Sequence, residues 1–223
     1  MKKFCAFVLF CSLAFSACIK PDIEDSNAKL MVVHASPNTP DVDLLIDNKP
    51  IILQPLQYLN NIYYRTLLAG DRNFKVKVGS NTIIDTNLNF NNEKTYSIFI
   101  IGDPIDVRMV MYEDDLFNPA SSGQFKMRFL NLVTDVNSVD LSNVGDSTVH
   151  FDNVQFGEMR DFKIFGSGIY NFALKQPGTQ NSIYNSPNDT LENGKLYTAF
   201  ANGVSVGTNT DSIGVWIISN GDF

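Results

Sequence analysis

The chain has 223 residues, 44% of them hydrophobic and 18% charged, which is apolar material enough for one large domain or two small ones and too much for a disordered chain. Lys and Arg total 17 against 24 Asp and Glu, a net charge of -7, so a phosphate backbone is a poor match and no nucleic-acid partner is expected. None of the 3 cysteines lies beyond residue 18, which excludes a disulfide framework or a thiolate zinc site in the body of the chain.

Lys2 and Lys3 precede an apolar run over residues 4–15, broken only by Ser12 and the thiols Cys5 and Cys11. A helix of that length rises about 18 Å, short of a hydrocarbon core of roughly 30 Å, so a cleaved signal peptide over residues 1–17 is expected rather than a spanning helix. The stretch Phe15-Ser16-Ala17-Cys18 resembles the lipobox of bacterial lipoproteins, although Leu is usual where Phe15 stands. That resemblance implies lipidation of Cys18; the alternative is an ordinary leader cleaved after Ala17 beside an incidental cysteine. Residues 18–28 read as the lipidated cysteine and a polar, Pro-containing tether. Its Asp22, Glu24 and Asp25 resemble the surface-export signal of Bacteroidetes lipoproteins, and read equally as a solvated linker. The expected location is therefore the outer membrane, held through a lipid anchor and surface-exposed, with a periplasm-facing position as the alternative.

Beyond the tether the chain reads as strands. Phe74, Val76 and Val78 alternate with Lys75 and Lys77, the period of a half-buried strand. Residues 30–34, 96–101 and 107–112 are β-branched or aromatic runs bounded by Gly, Pro, Asn and Asp. An internal repeat is also visible: Val42-Asp43-Leu44 recurs as Val139-Asp140-Leu141, and Lys29 to His34 aligns with Lys126 to Asn131 at the same offset. Gly70 followed by Phe74 and Val76 is matched to Gly166 followed by Tyr170 and Phe172, and Asn92 to Tyr96 is matched to Asn193 to Tyr197. The fold expected is all-β, two tandem antiparallel β-sandwich (Ig-like) repeats at residues 29–117 and 124–223, joined by a linker at 118–123.

The segment His34-Ala35-Ser36-Pro37-Asn38-Thr39-Pro40-Asp41-Val42-Asp43-Leu44 resembles the opening signature of a bacterial family of secreted domains of unknown function, which reads V-x-V-V-H-A-S-P-x-x-P-x-V-D-V. The family implies an extracytoplasmic β-sandwich repeat and no known reaction. Physically, His34 closes a strand, Pro37 and Pro40 stiffen the loop, and Val42, Leu44 and Ile46 re-enter the core. Asp41, Asp43 and Asp47 then fall on a solvated face. His34, Ser36, Pro37, Asp41 and Asp43 are accordingly read as a structural loop signature.

A catalytic set is hard to assemble. The only histidines are His34 and His150. His34 beside Ser36 is the one nucleophile–base pairing to weigh, but the second copy has Asn131 and Val133 there, so a loop-organising imidazole is preferred to a hydrolase. The acidic groups Asp41/Asp43/Asp47, Asp103/Asp106 and Glu113-Asp114-Asp115 fit no calcium loop, and no metal or cofactor is assigned. Tyr58, Tyr63, Tyr64 and Arg65 lie in an Asn-rich stretch, the materials of a sugar-stacking surface and equally of strand edges. Trp216 is expected in a core or as a plug between repeats. Asp146-Ser147-Thr148, Asp189-Thr190-Leu191 and Asp211-Ser212-Ile213 resemble Bacteroidetes O-glycosylation acceptors, which makes Ser147, Thr190 and Ser212 candidates. The function expected is a non-catalytic, lipid-anchored binding or scaffolding module. Its partner would be a glycan or a surface protein, with glycan capture for polysaccharide uptake as the alternative and a hydrolase as the more distant one.

Overall fold

The computed structural model describes residues 26–116, 121–207 and 211–220. The expected leader, Cys18, most of the tether and residues 118–120 of the expected linker lie outside them. The first half forms β1 (Asn27–His34), β2 (Asp43–Ile46), β3 (Lys49–Pro50), β4 (Asn61–Leu68), β5 (Gly70–Val78), β6 (Asn81–Phe90), β7 (Thr95–Ile101) and β8 (Arg108–Glu113). The second half forms β9 (Gln124–Val133), β10 (Ser138–Asn143), β11 (Val149–Gln155), β12 (Met159–Gly166), β13 (Gly168–Lys175), β14 (Ser182–Leu191), β15 (Leu196–Gly203) and β16 (Gly214–Ser219). Strand β1 thus opens two residues before Lys29, inside the stretch read as tether.

Hydrogen bonding sorts the strands into sheets ordered β3-β2-β5-β6 and β4-β1-β7-β8, then β11-β10-β13-β14 and β12-β9-β15-β16. The second pair reproduces the first strand by strand, so the chain is all-β and consists of two tandem β-sandwiches. Most ladders are antiparallel. Within each inner sheet, however, one pair is parallel: β1 with β7 from Lys29↔Thr95, and β9 with β15 from Lys126↔Leu196. The long excursion through the outer sheet is what allows a parallel return.

Side-chain period separates three cores. In β5, Phe74 and Val76 are fully buried while Lys75 and Lys77 take the opposite, wetter face. The inner strands carry no such polar face. Along β1, Leu30 and Val32 enter the core of the first sandwich, whereas Met31 and Val33 enter a separate core with Leu130, Leu132 and Phe200 of the second. Along β7, Ile98 and Ile100 point to the first core, and Phe99 and Ile101 to the shared one. A sheet covered on both faces reads as a continuous apolar run, and β15 is buried from end to end. The molecule is a four-layer stack in which the two inner sheets pack face to face.

The contacts across that interface run in order. Ser97 of β7 meets Arg128 of β9, Phe99 meets Phe200, and Tyr58 meets Asn202 near the far end of β15. On either side, Tyr64 of β4 reaches Asn220 beyond β16, and Tyr112 of β8 reaches Gly157 just before β12. The repeats are therefore related by a pseudo-two-fold axis along the strands. Trp216 of β16 stacks on Phe200 in this shared core, with ring centroids 6.2 Å apart.

The register also corrects the repeat alignment. Leu44 pairs with Val76, and its counterpart Leu141 pairs with Leu174. Val76 therefore corresponds to Leu174, Phe74 to Phe172 and Gly70 to Gly168, two residues beyond the match to Gly166 and Tyr170. A slip of two keeps every side chain on its face, so alternation alone does not detect it.

Candidate functional site

The signature loop is built at the end of β1. His34 is fully buried, and its Nε2 lies 3.2 Å from the Pro40 carbonyl while its Nδ1 lies 3.4 Å from the Ser36 amide. A carbonyl can only accept and an amide can only donate, so the ring is the neutral Nε2–H tautomer. Burial holds its pKa below the ordinary 6.5. The Ser36 hydroxyl donates to the Gly102 carbonyl at 2.7 Å, and Thr39 Oγ1, 2.7 Å away, must then donate to Ser36. These bonds tie the loop after β1 to the end of β7. There Gly102 has φ +93°, and a Cβ would lie 2.1 Å from the Asp106 carbonyl oxygen. The Ser36 proton is thus directed at a backbone carbonyl, and the imidazole at Pro40. A hydrolytic pair would need them to face each other.

The second copy has a different residue there and keeps one bond of the pair, the one to the amide two residues on. Asn131 holds the place of His34: its Oδ1 accepts the amide of Val133, two residues on, and its Nδ2 donates to the Val154 carbonyl. An amide replaces an imidazole with the same donor–acceptor polarity. Pro37 is buried within the loop, Asp41 is exposed and Asp43 is half-buried on β2. The counterpart of Asp43, Asp140, is buried and accepts the amides of Asn153 and Gly178.

The tyrosine stretch is divided by the fold. Tyr58 packs edge-on to His34 and accepts from Asn202 Nδ2 at 3.1 Å. Tyr64 turns into the interface between repeats, while Tyr63 is 69% exposed and Arg65 is exposed. Burial raises the pKa of both Tyr58 and Tyr64 well above the usual phenol value. The expected common surface of Tyr58, Tyr63 and Tyr64 is therefore not formed, because Tyr58 and Tyr64 face the second repeat and Tyr63 faces solvent.

Around Tyr64 lies a buried polar network that joins the repeats. The Asp114 carboxylate, just past β8, accepts from Tyr64 at 2.7 Å and from Ser97, and pairs with Arg128 of β9 at 2.7 Å. Both charged side chains are almost completely buried. Arg128 Nε donates to Thr198, whose hydroxyl donates to Asn220, whose amide donates back to Tyr64. The Arg128 guanidinium also lies 5.1 Å from the centroid of the Phe162 ring. The acidic run Glu113-Asp114-Asp115 is split by the fold. Glu113 is exposed and pairs with Lys94, but Asp114 sits inside, because its counter-charge comes from the other repeat. The network borders a cleft of about 530 Å³ with Glu113, Asp115 and Asp161 set against Lys126 and Arg128. At its side, burial pushes the pKa of Tyr112 up to about 12.

The other candidates are scattered. Ser147 is exposed in the turn between β10 and β11, and Thr190 is exposed on β14. Ser212 is half-buried and donates its hydroxyl to the Gly207 carbonyl. Cys18 lies outside the described residues. His150 of β11 packs edge-on against Phe165, and burial lowers its pKa. Among the described residues no group of three or more His, Asp or Glu side chains is placed to hold a metal ion.

A duplicated β-sandwich, fused through a shared core and a buried interface network, is the class of protein that fold and geometry define. The chain belongs to the family described as a domain of unknown function (DUF4397), matched over residues 28–142 and again over 125–220. No curated protein matches it.

Proposed function

We propose that this chain is a non-catalytic, lipid-anchored module of the outer membrane or cell surface that binds or scaffolds a partner. The observation that carries the reading is the fixed union of two sandwiches through a third core, which makes one stiff body from two repeats. Strand β1 begins at Asn27, nine residues after Cys18, and the loops after β1, β3 and β7 lie at the opposite end of that strand. A tether attached at one end would hold those loops outward. Two further observations support the non-catalytic part: the backbone bonds that occupy His34 and Ser36, and the matching bond of Asn131 to the amide two residues on. Glycan capture ranks below this reading, since only Tyr63 and Arg65 of its proposed residues are exposed.

The test is metabolic labelling with an alkyne palmitate analogue, followed by proteinase treatment of intact cells. The native chain should take up label and lose its domain to the proteinase. Cys18→Ala should be unlabelled and leave the membrane fraction. Labelled protein in the Cys18→Ala variant, or an unlabelled native chain, refutes the anchor. Protection of the domain until lysis moves the module to the periplasmic face.

A further inference from the structure

Each repeat serves as a control for the other, because both share one frame. The mouth of the second sandwich, between its two sheets beside β12, is plugged. Phe125 of β9 pairs with Phe165 of β12, and their rings stack at 5.3 Å with Tyr170 edge-on to Phe125. Lys163 closes the plug by donating to the His150 carbonyl at 2.7 Å and lying 4.8 Å from the centroid of the Phe151 ring.

The same positions in the first sandwich carry different residues. The ladder places Ala28 opposite Leu67, where the second repeat has Phe125 opposite Phe165. It places Arg65 opposite Leu30, where the second repeat has Lys163 opposite Met127. Two phenyl rings have become a methyl and an isobutyl group, and beside Leu67, at the place of one of those rings, lies an open cleft of about 390 Å³. Its walls are Leu30, Ile46, Ile51, Ile62 and Leu67, with Thr66 also lining it. Arg65 lies on its rim, exposed, with no hydrogen-bond or ion-pair partner among the described residues. The lining contains no carboxylate.

From an apolar slot with one unpaired guanidinium, we infer that the first repeat binds an aliphatic chain ending in a single anionic head group, an alkanoate of medium length. The slot has the volume of small-ligand sites, which run from about 300 to 1,000 Å³. The tail takes the place of the missing ring, and the carboxylate pairs with Arg65 as a planar fork. The second repeat binds none, because its own side chains fill the mouth and its cation is already engaged. This inference rests on the reading of the chain as a binding module, and the two fail separately. A surface-displayed chain that ignores alkanoates loses this site only. A chain that binds them but is never lipidated loses only the anchor.

The experiment is calorimetric titration of the full chain with n-decanoate, below its micellar concentration. One saturable site is expected. Arg65→Gln should weaken binding at least tenfold, and Leu67→Phe, which supplies a ring of the second repeat's plug, should abolish it. Lys163→Gln should leave it unchanged, and n-decanol should bind at least tenfold more weakly than the acid. Absence of saturable heat overturns the site, as does decanoate binding that Arg65→Gln leaves intact. Arg65 is exposed, so that variant remains decisive should Leu67→Phe fail to fold.

Discussion

Asp114 and Asn220 hold the same place in the two repeats. Each stands one residue beyond the final strand, sends its amide to the carbonyl that opens the neighbouring strand (Thr95 or Leu196), and accepts a hydroxyl proton from that strand, from Ser97 or Thr198. The parallel ladders extend the match, since Met31 sits opposite Ser97 where Arg128 sits opposite Thr198. A symmetric polar frame has thus been made asymmetric by one acid on one side and one cation on the other. The resulting ion pair distinguishes the two faces of an otherwise self-similar interface.

That pair makes a double-mutant cycle informative. Arg128→Met gives the second repeat the residue of the first, and leaves the Asp114 carboxylate buried without its counter-charge. Losing one partner of such a pair costs about 3–5 kcal/mol. Asp114→Asn strands Arg128 in the same way. The double variant restores an uncharged interface, and should cost clearly less than the two singles together. Urea denaturation of the four proteins measures this; additive losses would show that the charges do not act as a pair.

The tyrosines separate by orientation on the same strand. Tyr64→Phe removes a hydroxyl that donates to Asp114 and accepts from Asn220, and should cost about 1–3 kcal/mol because two buried groups lose a partner. Tyr63→Phe, on the solvent side, should stay within about 0.5 kcal/mol of the native chain. Denaturant midpoints for the two variants test the assignment, and equal effects would contradict the buried network.

Much of the fold was legible because strands advertise their period. The Phe74-Lys75-Val76-Lys77-Val78 alternation marks an outer strand with one wet face, and the shared Val-Asp-Leu landmarks reveal the duplication. The packing of the two inner sheets left a fainter trace, in the largely apolar runs at Tyr96–Ile101 and Phe129–Val133, broken only by Ser97 and Asn131, which leave no alternating polar face to give to water. The interface network left none. Asp114 lies between two other acids and its partner lies in the other repeat, so local sequence gives no reason to bury it. The tyrosine surface failed for a related reason: neighbouring strand residues face opposite sides, so proximity of Tyr63 and Tyr64 in the chain separates them in space.

His34 gives the fold a pH dependence whose sign follows from its bonds. Burial favours the neutral ring, and a second proton on Nδ1 would remove the acceptor of the Ser36 amide. The folded pKa therefore lies below the unfolded value of about 6.5, and the unfolded chain binds more protons as the pH falls through that value. Full stability is present above about 6.5 and is lost as the pH drops from there toward the folded pKa. The slope is at most about 1.4 kcal/mol per pH unit for each histidine so placed. His150, also held below its ordinary pKa by burial, adds to the same slope. His34→Asn tests the account within the molecule's own logic, because Asn131 already holds this place in the second repeat and accepts the amide two residues on in the same way. That variant should fold, keep much of its stability near neutral pH and lose part of the decline below about pH 6.5, with the remainder carried by His150. Urea midpoints across that range measure it, and a slope unchanged from the native chain would mean that His34 does not titrate between the folded and unfolded states.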